Sequence, residues 1–208
     1  MYKTSIFTFF LSLITCFASA QRVEITPFGG YVFPGTMNAD GGEVYFRGNG
    51  WYGGMVNIGV SRLFDADVIY TRIDTRADIN IYHPIYGNDW DVPLSVNYFH
   101  VGFSKKFPLH PSITPFTGLN IGTCLMAPKE KYREEWFLSM GFHGGAKAYV
   151  SKRVGFRMEG RLMVPIQGSG FSFFAGSGGS GGGVSVYSTL VQFGLDGGLI
   201  IRFGPIPE

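Results

Sequence analysis

The chain has 208 residues, a formal net charge of +2, 15% charged and 16% aromatic residues, and 31 glycines. Its 17 basic residues are scattered rather than gathered, which removes the bulk basic character that nucleic-acid binding needs. After the N-terminal stretch no apolar run reaches the roughly 20 residues of a helical membrane span, and abundant glycine and aromatics with few charges favour strands over helices.

Residues 1–20 read as a secretory signal peptide: Lys3 gives a positive start, 6–17 is apolar, and Ala18-Ser19-Ala20 is a small-residue cleavage site before Gln21. A lipoprotein signal with Cys16 lipidated ranks below it, because Thr15 is larger than such sites carry. Cleavage after Ala20 leaves Cys124 as the sole cysteine, so the exported segment 21–208 has no intramolecular disulfide. That segment is one domain in size and can cross a membrane only as a closed barrel.

Eight segments follow in which apolar and polar residues alternate with period two. The first, 22–33, sets Val23, Ile25, Tyr31 and Phe33 against Arg22, Glu24, Thr26 and Gly30. Pro27 interrupts it and predicts a bend or a missing ladder bond. Residues 34–48, rich in Gly, Asn and Asp, read as a loop. The second segment, 50–63, opposes Tyr52, Val56, Ile58 and Val60 to Gly53, Asn57, Gly59 and Ser61, and a tight turn at Phe64-Asp65 follows.

The phase of the third segment, 66–82, is open: Val68 and Tyr70 face outward, or Ile69, Thr71 and Ile73 do. Its even row continues with Arg72, Asp74, Arg76 and Asp78, which places its outer part in water. Residues 83–93 read as a long loop. The fourth segment, 94–107, opposes Phe99, Val101 and Phe103 to His100, Gly102 and Ser104, and the prolines at 108 and 111 end it. In the fifth, 113–125, Ile113, Leu119, Ile121 and Leu125 oppose Thr114, Gly118, Asn120, Gly122 and Cys124, and 127–133 is a short charged loop.

The sixth, 136–150, opposes Leu138, Met140, Phe142, Ala146 and Ala148 to Ser139, Gly141, His143, Gly145 and Lys147. In the seventh, 153–164, the row Arg157, Glu159, Arg161 lies behind Val154, Phe156, Met158, Leu162 and Val164. Three charges of alternating sign are costly against hydrocarbon and in an apolar core. A polar lumen in which Glu24, Lys147, Asp196 and Arg202 also point inward supplies partners. Residues 168–183 form a long loop in which Phe171, Phe173 and Phe174 are a candidate surface contact. The last segment, 190–203, carries Val191, Phe193, Leu195, Leu199, Ile201 and Phe203 on one face and Gln192, Gly194, Asp196, Gly198 and Arg202, with Ile200, on the other.

Short turns after the second, fourth and sixth segments and longer loops elsewhere give one short-turn rim and one long-loop rim, the layout of outer-membrane barrels. Eight strands enclose a lumen just wide enough for side chains to fill, which suits the inward glycines. Tyr31, Phe33, Tyr52, Phe107, Trp136, Tyr149 and Phe203 sit at the heights of two interfacial girdles. The fold expected is all-β, an eight-stranded antiparallel up-and-down transmembrane β-barrel. A secreted lipid-binding barrel of the lipocalin type is the alternative, disfavoured by the missing disulfide, the girdles and the lack of a terminal helix pattern.

The chain resembles the small outer-membrane β-barrel proteins of Gram-negative bacteria, the OmpA/OmpX/OmpW-like porin-family domain. The resemblance spans 22–203 and rests on Ile25-Thr26-Pro27-Phe28-Gly29-Gly30-Tyr31, Thr114-Pro115-Phe116-Thr117-Gly118-Leu119-Asn120-Ile121-Gly122, Gly155-Phe156-Arg157-Met158-Glu159-Gly160-Arg161 and Gly198-Leu199-Ile200-Ile201-Arg202-Phe203. It implies an outer-membrane location with loops extracellular and termini periplasmic. Lipid, lipopolysaccharide and the barrel insertion machinery are the implied partners. Phe203 is the implied assembly signal, followed here by five further residues.

Such barrels serve many functions on one fold. The leading expectation is a non-enzymatic structural or surface-interaction barrel whose lumen is filled by the charges Glu24, Lys147, Arg157, Glu159, Arg161, Asp196 and Arg202. A narrow conduit for a small apolar molecule comes second. A lipid-modifying enzyme built on His100, His143, Ser104, Ser139 and Glu159 ranks lower, since these groups face inward. Metal binding by His100, Cys124 and His143 ranks lowest, as they stand at unmatched heights. No cofactor, catalytic or nucleic-acid motif stands out.

Overall fold

A computed structural model of the chain describes residues 22–39, 42–81, 89–108, 112–129, 133–166, 171–176, 179–184 and 190–204. Among the described residues the elements are twelve strands: β1 (Val23–Val32), β2 (Gly35–Ala39), β3 (Gly42–Phe46), β4 (Asn49–Gly59), β5 (Phe64–Ile81), β6 (Asp89–Lys106), β7 (Ile113–Pro128), β8 (Glu135–Tyr149), β9 (Val154–Ile166), β10 (Phe171–Gly176), β11 (Gly179–Val184) and β12 (Gln192–Phe203). Eight of them close an antiparallel barrel in the order β1, β4, β5, β6, β7, β8, β9, β12. β12 returns to β1, from Val23 opposite Phe203 to Val32 opposite Gly194. The ladder on that side skips Thr26 and Pro27, while the β4 ladder runs through both. The missing ladder bond expected at Pro27 therefore lies on the closing seam.

Three segments expected as loops contain strand. Within 34–48, β2 and β3 pair in the register already set by β1 and β4, with Val32 opposite Asn49 and Gly35 opposite Phe46, so they are one long hairpin that continues the wall. Gly35, Asn38 and Gly42 are paired strand residues, and a bulge follows β3. From Phe46 to Trp51 the chain advances five residues while its partner β5 goes four, from Ala77 to Ile73. Within 83–93, β6 starts at Asp89, with Asp91 at φ 66° where the β5 register shifts. A short polar side chain tolerates that left-handed conformation. Within 168–183, β10 and β11 form an antiparallel hairpin with Phe171 opposite Val184; the side chains of Phe171, Phe173 and Phe174 lie outside the described residues. The turn placed at Phe64-Asp65 is instead at 60–63, closed by the Val60 amide donating to the Phe64 carbonyl at 3.1 Å.

β1 begins and β12 ends on one rim, the turn rim, where the strand ends joined by the β4–β5, β6–β7 and β8–β9 connections also lie; the hairpin β2–β3 and the strand ends flanking the longer connections lie on the other, the loop rim. Side chains alternate strictly in and out. The outward row is apolar around the circumference: Val101, Phe103, Leu119, Phe142, Met158 and Leu195 are all at least half exposed, Met158 at 72%. An apolar surface of that extent is a surface for hydrocarbon.

β5 shows why its phase cannot be read from polarity. Its odd residues all face inward, and its even residues face outward. Near the turn rim the inward members are Asp65 and Asp67, and the outward ones are Phe64 and Val68. Beyond Tyr70 the chemistry reverses: Ile73 and Ala77 are buried inside while Arg72, Asp74, Arg76 and Asp78 are outside. The geometric period continues and only the solvent changes. Below the reversal the barrel has lipid outside and charges inside. Above it the wall has water outside and an apolar interior, as a soluble sheet does.

Candidate functional site in the barrel interior

The turn-rim half of the interior is an ion-pair network of charges from β1, β5, β6, β8, β9 and β12. Asp65, fully buried, accepts from Lys106 Nζ and Arg22 Nη2, both at 2.6 Å, and lies 3.3 Å from Lys147 Nζ. Glu24, also fully buried, accepts from Lys147 Nζ at 2.7 Å, Tyr149 Oη at 2.8 Å and Arg202 Nε at 3.0 Å. The Arg202 guanidinium stacks on the Tyr149 ring at 3.9 Å. Tyr149, expected in an outer girdle, thus belongs to the interior: it continues the inward row of β8 from His143 through Lys147.

At mid-height Glu159 bridges two arginines. One oxygen accepts from Arg157 Nε at 2.9 Å and from Nη2 at 2.5 Å; the other accepts from Arg161 Nε at 2.6 Å. Arg161 also donates to Thr71 Oγ1 at 3.1 Å and to Asp196 at 3.4 Å. Each guanidinium lies 4.0 Å over a ring, Arg157 on Phe116 and Arg161 on Phe28, so a flat cation–π face replaces water on the side that carries no hydrogen bonds.

Every member of the expected lumen set, Glu24, Lys147, Arg157, Glu159, Arg161, Asp196 and Arg202, is in an ion pair. Asp65, Asp67, Lys106 and Arg22 join them, and sequence reasoning missed all four as members. Lys106 was recoverable, because it simply continues the row His100, Gly102, Ser104. Asp65 falls on the turn that the sequence predicts at Phe64-Asp65.

Asp67 accepts from Asn57 Nδ2 at 2.5 Å and from the Ser104 hydroxyl. Ser104 Oγ lies 3.0 Å from His143 Nε2, and Asn120 Nδ2 lies 2.9 Å from His143 Nδ1. Serine, histidine and aspartate do meet here, but serine and carboxylate share the same ring nitrogen. A nucleophile triad needs the carboxylate on the opposite nitrogen, holding the ring so that Nε2 can accept the serine proton. Here the Ser104 proton goes to Asp67, and the group is sealed inside the barrel. Ser139 and Glu159 are not part of this cluster. His143 is separated from Cys124, which lies higher, in the apolar cluster; among the described residues no three metal-ligating side chains converge.

The loop-rim half is apolar, unlike the uniformly polar lumen expected. Val32, Phe46, Trp51, Ile73, Val96, Tyr98, Cys124, Met126 and Met163 pack into one buried cluster. Trp51 lies flat at its floor against Gly30 and Gly194; a Cβ on Gly194 would stand 2.6 Å from the indole. Tyr98 donates to Gln192 at the same level. Between the two halves is a crevice lined by Ile69, His100, Asn120, Arg161 and Met163, too tight for a water molecule.

No family model matches the chain, and no curated protein sequence does. Solved structures do. The outer membrane protein OprG from Pseudomonas aeruginosa aligns with a TM-score of 0.59 at 8% identity, over 90% of this chain and 97% of that one. Neisserial surface protein A gives a TM-score of 0.55 at 10% identity, over 88% and 97%. The outer membrane protein AlkL, solved in lipid bilayers, gives 0.54 at 12% identity, over 91% and 93%. Strand order, closure and these alignments agree: the chain has the fold of the small eight-stranded outer-membrane β-barrels.

Proposed function

We propose that the protein is an integral outer-membrane barrel with a plugged interior, a non-enzymatic structural or surface-interaction element. Its loop rim faces the outside of the cell, and its termini lie in the periplasm. The observation that carries this reading is the filling of the interior: cross-paired charges occupy one half, side chains packed around Trp51 and Met163 the other, and the crevice between them does not admit water. The misplaced carboxylate at Ser104 and His143 supports the non-enzymatic part. Outer-membrane lipid, lipopolysaccharide and the insertion machinery are the partners this role requires. A second reading, a conduit for a small apolar molecule, draws on the apolar lining of the loop-rim half. The floor beneath that lining, made by Trp51, Arg161 and Glu159, counts against passage. Planar-bilayer recording of the purified protein tests the proposal: no discrete conductance is expected, and reproducible single-channel steps would overturn the plugged barrel.

A further inference from the structure

The two rims carry their exposed charge differently. On the loop rim, carboxylates stand beside most cations: Arg47 pairs with Asp78 and Asp91, Arg76 with Asp91 and half-buried Arg72 with Asp74, whereas exposed Lys129 and Arg133 make no ion pair among the described residues. On the turn rim, Arg62, Lys105, Lys152 and Arg153 are exposed, and among the described residues none of them makes an ion pair. The only described carboxylates at that height are Glu24 and Asp65, both fully buried and committed to inward cations. Each of the three turns contributes: Arg62 from the first, Lys105 at the start of the second, Lys152 and Arg153 from the third. Each has an exposed apolar neighbour, Leu63 and Phe64, Phe107, or Val150, where the lipid-facing surface ends. Lys105 Nζ sits 5.5 Å over the Phe107 ring, at the boundary between the apolar belt and water.

We infer that the turn rim is a collar for anionic phospholipid headgroups, with Arg62, Lys105, Lys152 and Arg153 each meeting a lipid phosphate at the edge of the belt. A cation at this height lies within a Debye length of the headgroup plane and, among the described residues, has no competing carboxylate. Long basic side chains keep their stems on the apolar belt while the charge reaches the phosphates. The inference does not depend on which way the barrel faces, since it concerns one rim and the leaflet beside it.

Electron spin resonance of spin-labelled lipids tests it. With the protein reconstituted in phosphatidylcholine vesicles, labelled phosphatidylglycerol should associate with the barrel roughly threefold more strongly than labelled phosphatidylcholine. The quadruple variant R62Q/K105Q/K152Q/R153Q should bring that ratio close to one, while the loop-rim control K129Q/R133Q keeps it. Equal association in the native protein, a ratio that survives the quadruple change, or one lost in the control would each overturn the collar. Should the quadruple variant fail to fold, the native protein in about 1 M sodium chloride answers the same question, because screening at that ionic strength should abolish the preference. Phosphate buffer at matched ionic strength should lower the ratio no more than chloride does; a larger drop would mark a free-anion site and end the lipid assignment.

Discussion

Replacing Glu159 by glutamine probes the interior network at its bridging member with almost no change in volume. In the native barrel its two oxygens take three short hydrogen bonds from Arg157 and Arg161. After the change a single amide oxygen remains and the NH2 group confronts the other guanidinium; Arg161 also has Asp196 and Thr71, whereas the only further acceptor of Arg157 among the described residues is Asn57 Oδ1 at 3.4 Å. Removing one partner of a buried pair costs about 3–5 kcal/mol, because the surviving charge stays desolvated. An exposed pair contributes about 0–1 kcal/mol, so the two regimes can be told apart. Denaturant unfolding in lipid vesicles, followed by tryptophan fluorescence and by heat-modifiable gel migration, measures the loss. The double variant Arg157→Met/Glu159→Gln should lose clearly less than the sum of the two single changes, since it no longer buries an unpaired guanidinium there. A single-variant cost below about 1 kcal/mol, or strict additivity, would refute the network as a structural element.

Gly194→Ala should cost about 1–3 kcal/mol and lower the yield of folded barrel, because a Cβ there meets the Trp51 indole at 2.6 Å and the Tyr31 carbonyl at 2.7 Å, and the second is backbone that cannot swing away; native yield and stability would show the Trp51 floor to be loose. Outside the membrane, Arg47 beside Asp78 holds that carboxyl below its usual range. The pairing therefore stabilises the β3–β5 extension above the ordinary carboxylate pKa of about 3.9 and fades as the pH falls through the lower, folded value. Protection factors of the Glu43, Val44 and Phe46 amides, corrected for intrinsic exchange, should fall below about pH 4 while the belt stays protected, and pH-independent protection would contradict this. Phe203→Ala should reduce assembly in the outer membrane, whereas deletion of 204–208 should not; unchanged heat-modifiable material in the first variant would remove Phe203 as an assembly signal.

Much of the barrel was legible because one chemistry persists along most strands. In β9 the row Arg157, Glu159, Arg161 never leaves the hydrocarbon-flanked zone, so alternation alone sorted inside from outside. β5 crosses the boundary, and the rule that assigns polar residues to the lumen holds for Asp65 and Asp67 but inverts for Asp74 and Asp78. The same inversion hid the apolar cluster: Val96 and Cys124 lie on rows read as polar from their lower members, and Ile73 lies on a row whose phase polarity leaves open. The wall above the boundary was hidden for another reason. Gly35, Asn38 and Gly42 carry loop chemistry one at a time, yet β2 and β3 inherit their register from β1 and β4, a long-range constraint with no local signature. Tyr149 illustrates a third limit, since an aromatic at a strand end fits a girdle or a mouth equally well until its parity is counted from His143.

The membrane boundary crosses β5 near Tyr70 and Arg72, where the inward and outward chemistries exchange. Single cysteines placed in turn at Ala66, Val68, Tyr70, Arg72, Asp74 and Arg76 in a Cys124→Ser background, spin-labelled and reconstituted in bilayers, report this boundary through collision with oxygen or with a water-soluble nickel complex. Labels at the first three sites should collide mainly with oxygen, and those at Asp74 and Arg76 mainly with nickel. Nickel-dominated collisions along the whole row would mean that β5 never enters lipid, and oxygen-dominated collisions through Arg76 would mean that the charged wall stands in it; either pattern would rule out a boundary at Tyr70 and Arg72.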